Sequence, residues 1–151
     1  MPLRSGISGI EQIIMVKITG EYQGDLHCVA RHEPSGSTLV TGAPKDNQGR
    51  GEAFSPTDLV ATALATCIVT TMAMAARKHG VELRGLRYEV TKEMTADAPR
   101  RIARLATQIW MPIPESHPAA KPLAGGAHAC PVHRALDASV DKPIVFHWAA
   151  A

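Results

Sequence analysis

The chain of 151 residues reads as an α+β protein, laid out as hairpin, central helix, hairpin, second helix and last strand. Three observations point there. Short runs of β-branched and apolar residues stand on either side of one long uncharged stretch. That stretch carries start and stop signals of a helix at its two ends. Clusters of Gly, Pro, Asn and Asp separate the pieces.

The uncharged stretch is Ser55-Pro-Thr-Asp58 through Cys67 to Arg77. Ser55 suits the N-cap, Pro56 the first helical position, and Asp58 completes a box-like start facing the positive end of the helix dipole. Arg77, Lys78 and His79 crowd the last turn, and Gly80 falls where a left-handed residue ends a helix. A helix over 56–79 would be roughly 36 Å long. Eighteen residues separate Asp58 from Arg77 without a charge, so the helix is expected to be buried. Four threonines and many alanines among those residues weigh against a membrane span. Thr62, Thr66 and Thr70 form one i, i+4 stripe and Ala61 and Ala65 another, which allows a second backbone, from this chain or another subunit, to come close.

Ahead of the helix, 1–12 reads as a loose lead and 13–151 as a single domain. Strands are expected at 13–19, 26–32 and 37–41, with a turn region at 20–24 and an irregular loop at 42–51. Behind the helix, 86–94 and 102–111 alternate as an antiparallel hairpin around a turn near 97–100. The stretch 115–129 holds Pro118, Pro122 and Gly125-Gly126, which permit at most a broken helix. Cys130-Pro131 opens a short helix to Leu136, and 143–148 closes as a strand. Trp110 and Trp148 are expected in the core.

Net charge is +2, from sixteen basic and fourteen acidic residues intermingled along the chain. Aromatic residues make up 4%, so neither a phosphate-binding footprint nor a stacking platform for nucleic acid is expected. The first nine residues lack the apolar run of a signal peptide. Three cysteines, at 28, 67 and 130, make no disulfide framework, which suits a reducing cytoplasm.

Local electrostatics rank the thiols. Cys67 sits mid-helix among aliphatics, whereas Cys130 sits at a helix start with His133 and Arg134 close by, so its pKa is expected to be lowered. Cys28 alternates on a strand with His32 on its own face and His27 on the other, and is expected to pack. His128, Cys130 and His133 form H-x-C-x-x-H, an alternative metal site that would have to recruit His117 or Cys28. A further alternative is a dimeric binding module without turnover. In that reading the helix alanines leave an apolar tunnel walled by Met72, Met74 and Met94.

Taken together, Gly51-Glu-Ala-Phe-Ser-Pro-Thr-Asp-Leu59, the uncharged helix around Cys67, and Cys130-Pro-Val-His-Arg-Ala-Leu136 about sixty residues later resemble the OsmC/Ohr family over 42–148. That resemblance implies antiparallel sheets packed around a long central helix, in an intertwined homodimer with two cysteines near each other. It also implies a stress-response thiol peroxidase that needs no cofactor and reduces organic hydroperoxides or hydrogen peroxide. Cys67 would become a sulfenic acid, Cys130 would condense with it, and a dithiol reductant would reset the pair. The family's activating glutamate, ten residues before the first cysteine, is Thr57 here, next to Asp58. Its arginine aligns near Leu26 or His27. Arg31 and Arg50 are the nearest basic substitutes, with Glu52, Asp58 and His133 as further supporting candidates.

Overall fold

The computed structural model describes residues 15–151. The expected lead at 1–12 and the first two residues of the strand expected at 13–19 lie outside the described residues. The chain divides into two compact units, one running to Ala53 and the other starting at Phe54.

The first unit is a three-stranded antiparallel meander of β1 (Ile18–Gly24), β2 (His27–His32) and β3 (Thr38–Gly42). The first strand lies further along the chain than its apolar run suggested. The expected turn at 20–24 is strand, and the chain reverses instead at Asp25 and Leu26, both at positive φ (51° and 61°). A β-bulge between Tyr22 and Gly24 accompanies this tight reversal. The loop at 42–51 is irregular apart from one 3₁₀ turn, Lys45–Asn47. Gly49 is required there, because a Cβ at that position would fall 1.7 Å from the Ala43 carbonyl oxygen. Ile18, Tyr22 and Leu39 share one face of the sheet through the pairs Ile18–His32 and Ala30–Leu39, and all three are exposed. Of the described residues in this unit only Gly42 is buried, so the sheet has no core of its own.

In the second unit, α1 (Pro56–Lys78) has the limits its end signals predict. Ser55 Oγ accepts from the Asp58 amide at 3.1 Å, and Asp58 Oδ2 accepts from the Ser55 amide at 2.9 Å, closing a capping box. His79 caps the end and Gly80 takes φ +66°. Three threonines inside the helix turn their hydroxyls back onto carbonyls one turn earlier: Thr62 to Asp58, Thr66 to Thr62 and Thr71 to Cys67. Those hydroxyls therefore demand no partner outside the helix.

By length and composition α1 could cross a membrane, a test that a soluble core helix also passes. Its burial is one-sided. Ala61, Leu64, Ala65, Ile68, Met72 and Ala76 recur at helical spacing and are buried, while Ala63, Thr70 and Met74 are exposed. The expectation of burial on all sides therefore fails within this single chain.

The second sheet runs β4-β5-β6, with β4 (Arg87–Met94), β5 (Ile102–Pro114) and β6 (Ile144–Ala149). The β4–β5 hairpin is antiparallel as expected, whereas β6 runs parallel to β5. Helices α2 (Ala120–His128) and α3 (Pro131–Ala135) make the crossover that a parallel pair requires. An unbroken α2 corrects the expectation of a broken helix. Pro122 is its third residue, where the amide that proline lacks would have had no partner in the helix. Leu105, Ile109 and Met111 of β5 meet Leu64, Ile68 and Met72 of α1 and Leu123 and Ala127 of α2 in one core. Each large side chain buried there contributes about 1.5–3 kcal/mol.

Trp148 packs against that core, but Trp110 does not. Trp110 stands on the opposite face of the sheet, stacked on His147 with centroids 4.9 Å apart and with the Arg87 guanidinium 5.6 Å from its ring. The alternation along β5, with Ile109 and Met111 buried, sends Trp110 outward.

Candidate functional site

Two cysteines 63 positions apart in the chain meet in the second unit. Cys67 lies near the middle of α1, half-buried and packed against the core, and Cys130 is the fully buried N-cap of α3. The two side chains belong to one core cluster, and Cys67 is near enough to act on the Cys130 thiol. The Cys130 sulfur accepts from the His133 amide at 3.4 Å. Pro131, at the first helical position, starts the turn that brings this amide round to the sulfur.

The lowered pKa expected for Cys130 from local sequence is overturned. Burial pushes the Cys130 thiol above its ordinary pKa, and the neighbouring Cys67 thiol pushes it the same way. The His133 amide pulls it down but does not offset this. A short helix start favours a thiolate only where water or a cation can share the charge, and Cys130 is sealed from solvent.

Asp58, Arg31, Arg50 and Glu52 are each held in ion pairs within their own unit. Asp58 serves the capping box and pairs with Lys92 of β4, Nζ to Oδ1 2.7 Å. Lys92 also donates to Thr57 Oγ1 at 2.8 Å, so both residues at the position of the family glutamate are tied to a lysine at the helix start. Sequence reasoning missed Lys92. Its signal was a single cation among the inward-facing positions of an alternating strand, between Val90 and Met94. In the first unit Arg31 pairs with Glu33 at 3.8 Å. Arg50 bridges Asp25 at 3.0 Å and Glu52 at 3.7 Å, and His27 lies 3.4 Å from Glu52. His133 is half-buried, with its ring 5.9 Å from that of His128. Burial, Lys142 and His128 hold the His133 imidazole below its ordinary pKa, towards the neutral form.

Three further expectations are corrected. No group of three His, Cys, Asp or Glu side chains able to hold a metal occurs among the described residues, so H-x-C-x-x-H is not a ligand set. Cys130 faces Cys67 instead, and His117 accepts from the Ala119 amide. Cys28 is exposed rather than packed, because its sheet face has nothing over it in this unit. Met72 is fully buried while Met74 is 60% exposed, so the two point to opposite sides of α1 and cannot wall one tunnel.

The arrangement is that of an α+β protein with a thiol pair between its central helix and a short helix that follows a crossover. The family model for OsmC-like proteins matches residues 49–142. A solved structure from Psychrobacter arcticus 273-4, described as an osmotic stress induced and detoxification response protein, is 38% identical. It superposes with a TM-score of 0.80 over 89% of this chain and 96% of that one. The chain belongs to the OsmC family.

The organic hydroperoxide resistance protein OsmC from Legionella pneumophila (17% identity, TM-score 0.71, 89% and 97% of the two chains) has the same fold. So does OhrB of Bacillus subtilis, also an organic hydroperoxide resistance protein (16%, 0.65, 89% and 98%). No curated protein matches the sequence.

Proposed function

We propose that the protein is a cytoplasmic thiol peroxidase that reduces organic hydroperoxides or hydrogen peroxide through Cys67 and Cys130, and that it works as a homodimer. The observation that carries this reading is the proximity of the two thiols in one core cluster. Family membership alongside organic hydroperoxide resistance proteins supports it.

The thiolate of Cys67 attacks the terminal peroxide oxygen, the O–O bond breaks, and the alcohol or water leaves with a proton. Cys67 is then a sulfenic acid. The Cys130 sulfur attacks the Cys67 sulfur and displaces water, closing a disulfide that a dithiol reduces. Cys67 takes the first role because it is the half-buried member of the pair and Cys130 is the one held as a thiol.

The dimer is supported by two apolar surfaces left uncovered in one chain: the Ala63, Thr70 and Met74 side of α1, and the Ile18, Tyr22 and Leu39 face of the first sheet. Sedimentation equilibrium should give twice the 16.1 kDa chain mass.

The catalytic reading is tested by mass spectrometry after one equivalent of organic hydroperoxide, which should show a Cys67–Cys130 disulfide. Cys67→Ser should abolish hydroperoxide consumption, and Cys130→Ser should drive Cys67 to sulfinic and sulfonic acids. Full turnover in Cys67→Ser would end the proposal.

A further inference from the structure

The geometry points to a binding site for an aromatic α-amino acid, a small zwitterion carrying a flat ring, in a cleft between α2 and the C-terminal ends of β5 and β6. The site shares no residue with the thiol pair and does not depend on the peroxidase reading.

The cleft has a volume of about 380 Å³ and is lined by Glu115, Ala120, Lys121, Ala124 and Trp148. That volume falls within the roughly 300–1,000 Å³ of small-molecule sites. Strand pairing accounts for an opening at this end of the sheet. Between the pairs Trp110–His147 and Pro114–Ala149, β5 advances four residues while β6 advances two. An irregularity of this kind bends a strand and re-aims the residues after it, and Glu115 directly follows β5. On α2, Ala120 and Ala124 stand one turn apart, and their methyl groups are too short to cover the Trp148 indole. That ring packs beside Phe146, with centroids 5.5 Å apart, and stays half-buried.

Three polar groups of the lining have no partner. The Lys121 ammonium, the Glu115 carboxylate and the Trp148 indole N–H form no hydrogen bond or ion pair among the described residues. Opposite charges thus line one cleft without pairing with each other, whereas Lys92–Asp58 and Arg104–Asp141 in the same unit do close.

The complement of this lining is an apolar ring bearing both charges. A ring packs on indole edge-on or offset-stacked. Its carboxylate answers Lys121 and the indole N–H, and its ammonium answers Glu115. A ligand with one charge alone would satisfy one lining charge while desolvating the other.

The test uses the full-length protein labelled with heavy nitrogen, whose two tryptophans give two indole N–H signals. Trp110→Phe removes one and assigns the other to Trp148. Titration with L-phenylalanine to about 10 mM should move the Trp148 signal saturably and leave that of Trp110 in place. Lys121→Gln and Glu115→Gln should each weaken binding by about fivefold, as should exchange of the probe for phenylpropionate or phenethylamine, which keep one charge each. Ala124→Leu, which fills the cleft, should abolish the shift, with the Trp110 signal reporting that the variant is folded. Should that variant not fold, the two exposed charge variants decide. The inference is overturned by absence of a saturable Trp148 shift in the parent, by equal shifts of both indoles, or by undiminished binding in folded Ala124→Leu or in both charge variants. Equal binding of the singly charged probes would likewise overturn it, since the zwitterion would then count for nothing.

Discussion

Lys92 Nζ lies 2.7 Å from Asp58 Oδ1, an ion pair that ties β4 to the first turn of the helix carrying Cys67. The lysine is the more enclosed partner, with its side chain 15% exposed against 39% for the aspartate. Burial raises the Asp58 pKa, but the bonds from Lys92 and from Ser55 outweigh it, and the carboxyl titrates below its ordinary 3.8. A carboxylate depressed in the folded state stabilises above the unfolded value and loses that contribution as pH falls through the folded one. The protein should therefore lose this part of its stability below about pH 4. Asp58→Asn should lower the urea midpoint at pH 7 and narrow the gap to the parent at pH 3. A gap of equal size at both pH values would show that the pair is not the source.

Ser55 is buried, and its hydroxyl accepts the Asp58 amide that α1 cannot satisfy internally. Ser55→Ala should cost about 1 kcal/mol. A thermal melt should show this as a fall of roughly 2–4 °C for a chain of this size. An unchanged midpoint would mean that the helix start is held by Lys92 and Pro56 alone.

Thr107 presents the opposite case. Its hydroxyl, on the inner face of β5, is buried and has no hydrogen-bond partner among the described residues. Thr107→Val keeps the shape and removes the desolvated hydroxyl, so stability should hold or rise, by up to about 1–3 kcal/mol. A drop in the denaturant midpoint would reveal a partner for that oxygen in the working protein.

The thiols should also label in a set order. With iodoacetamide at pH 7.5, reduced protein should lose Cys28 and Cys67 before Cys130, the last by about tenfold or more, because it is both buried and held as a thiol. Peptide mass mapping against time measures it. Equal rates would show that the pocket around Cys130 opens readily.

The contrast between α1 and Cys130 shows how far local sequence carries. The limits of α1 were legible because capping is settled within four residues: Ser55, Pro56 and Asp58 at one end and His79-Gly80 at the other. The same local logic applied to Cys130 gave the wrong direction. The dipole of a short helix start is a smaller effect than the loss of solvent around the sulfur, and that loss is contributed by residues far away in the chain. The first strand was misplaced for a related reason: apolar content marked 13–19, but the bulge at Tyr22/Gly24 and the positive-φ pair Asp25-Leu26 decide where the hairpin turns.

By itself, the sequence determined the α+β layout, the long helix with its caps, the hairpin after it and the two cysteines worth watching, since each follows from neighbours within one turn or one alternation of a strand. Tertiary structure alone decided that β6 runs parallel to β5, that Trp110 faces outward, that Lys92 holds the helix start, and that Cys67 and Cys130 share one core cluster. Those outcomes depend on which surfaces exclude water from one another, a property of pairs of segments that neither segment carries on its own.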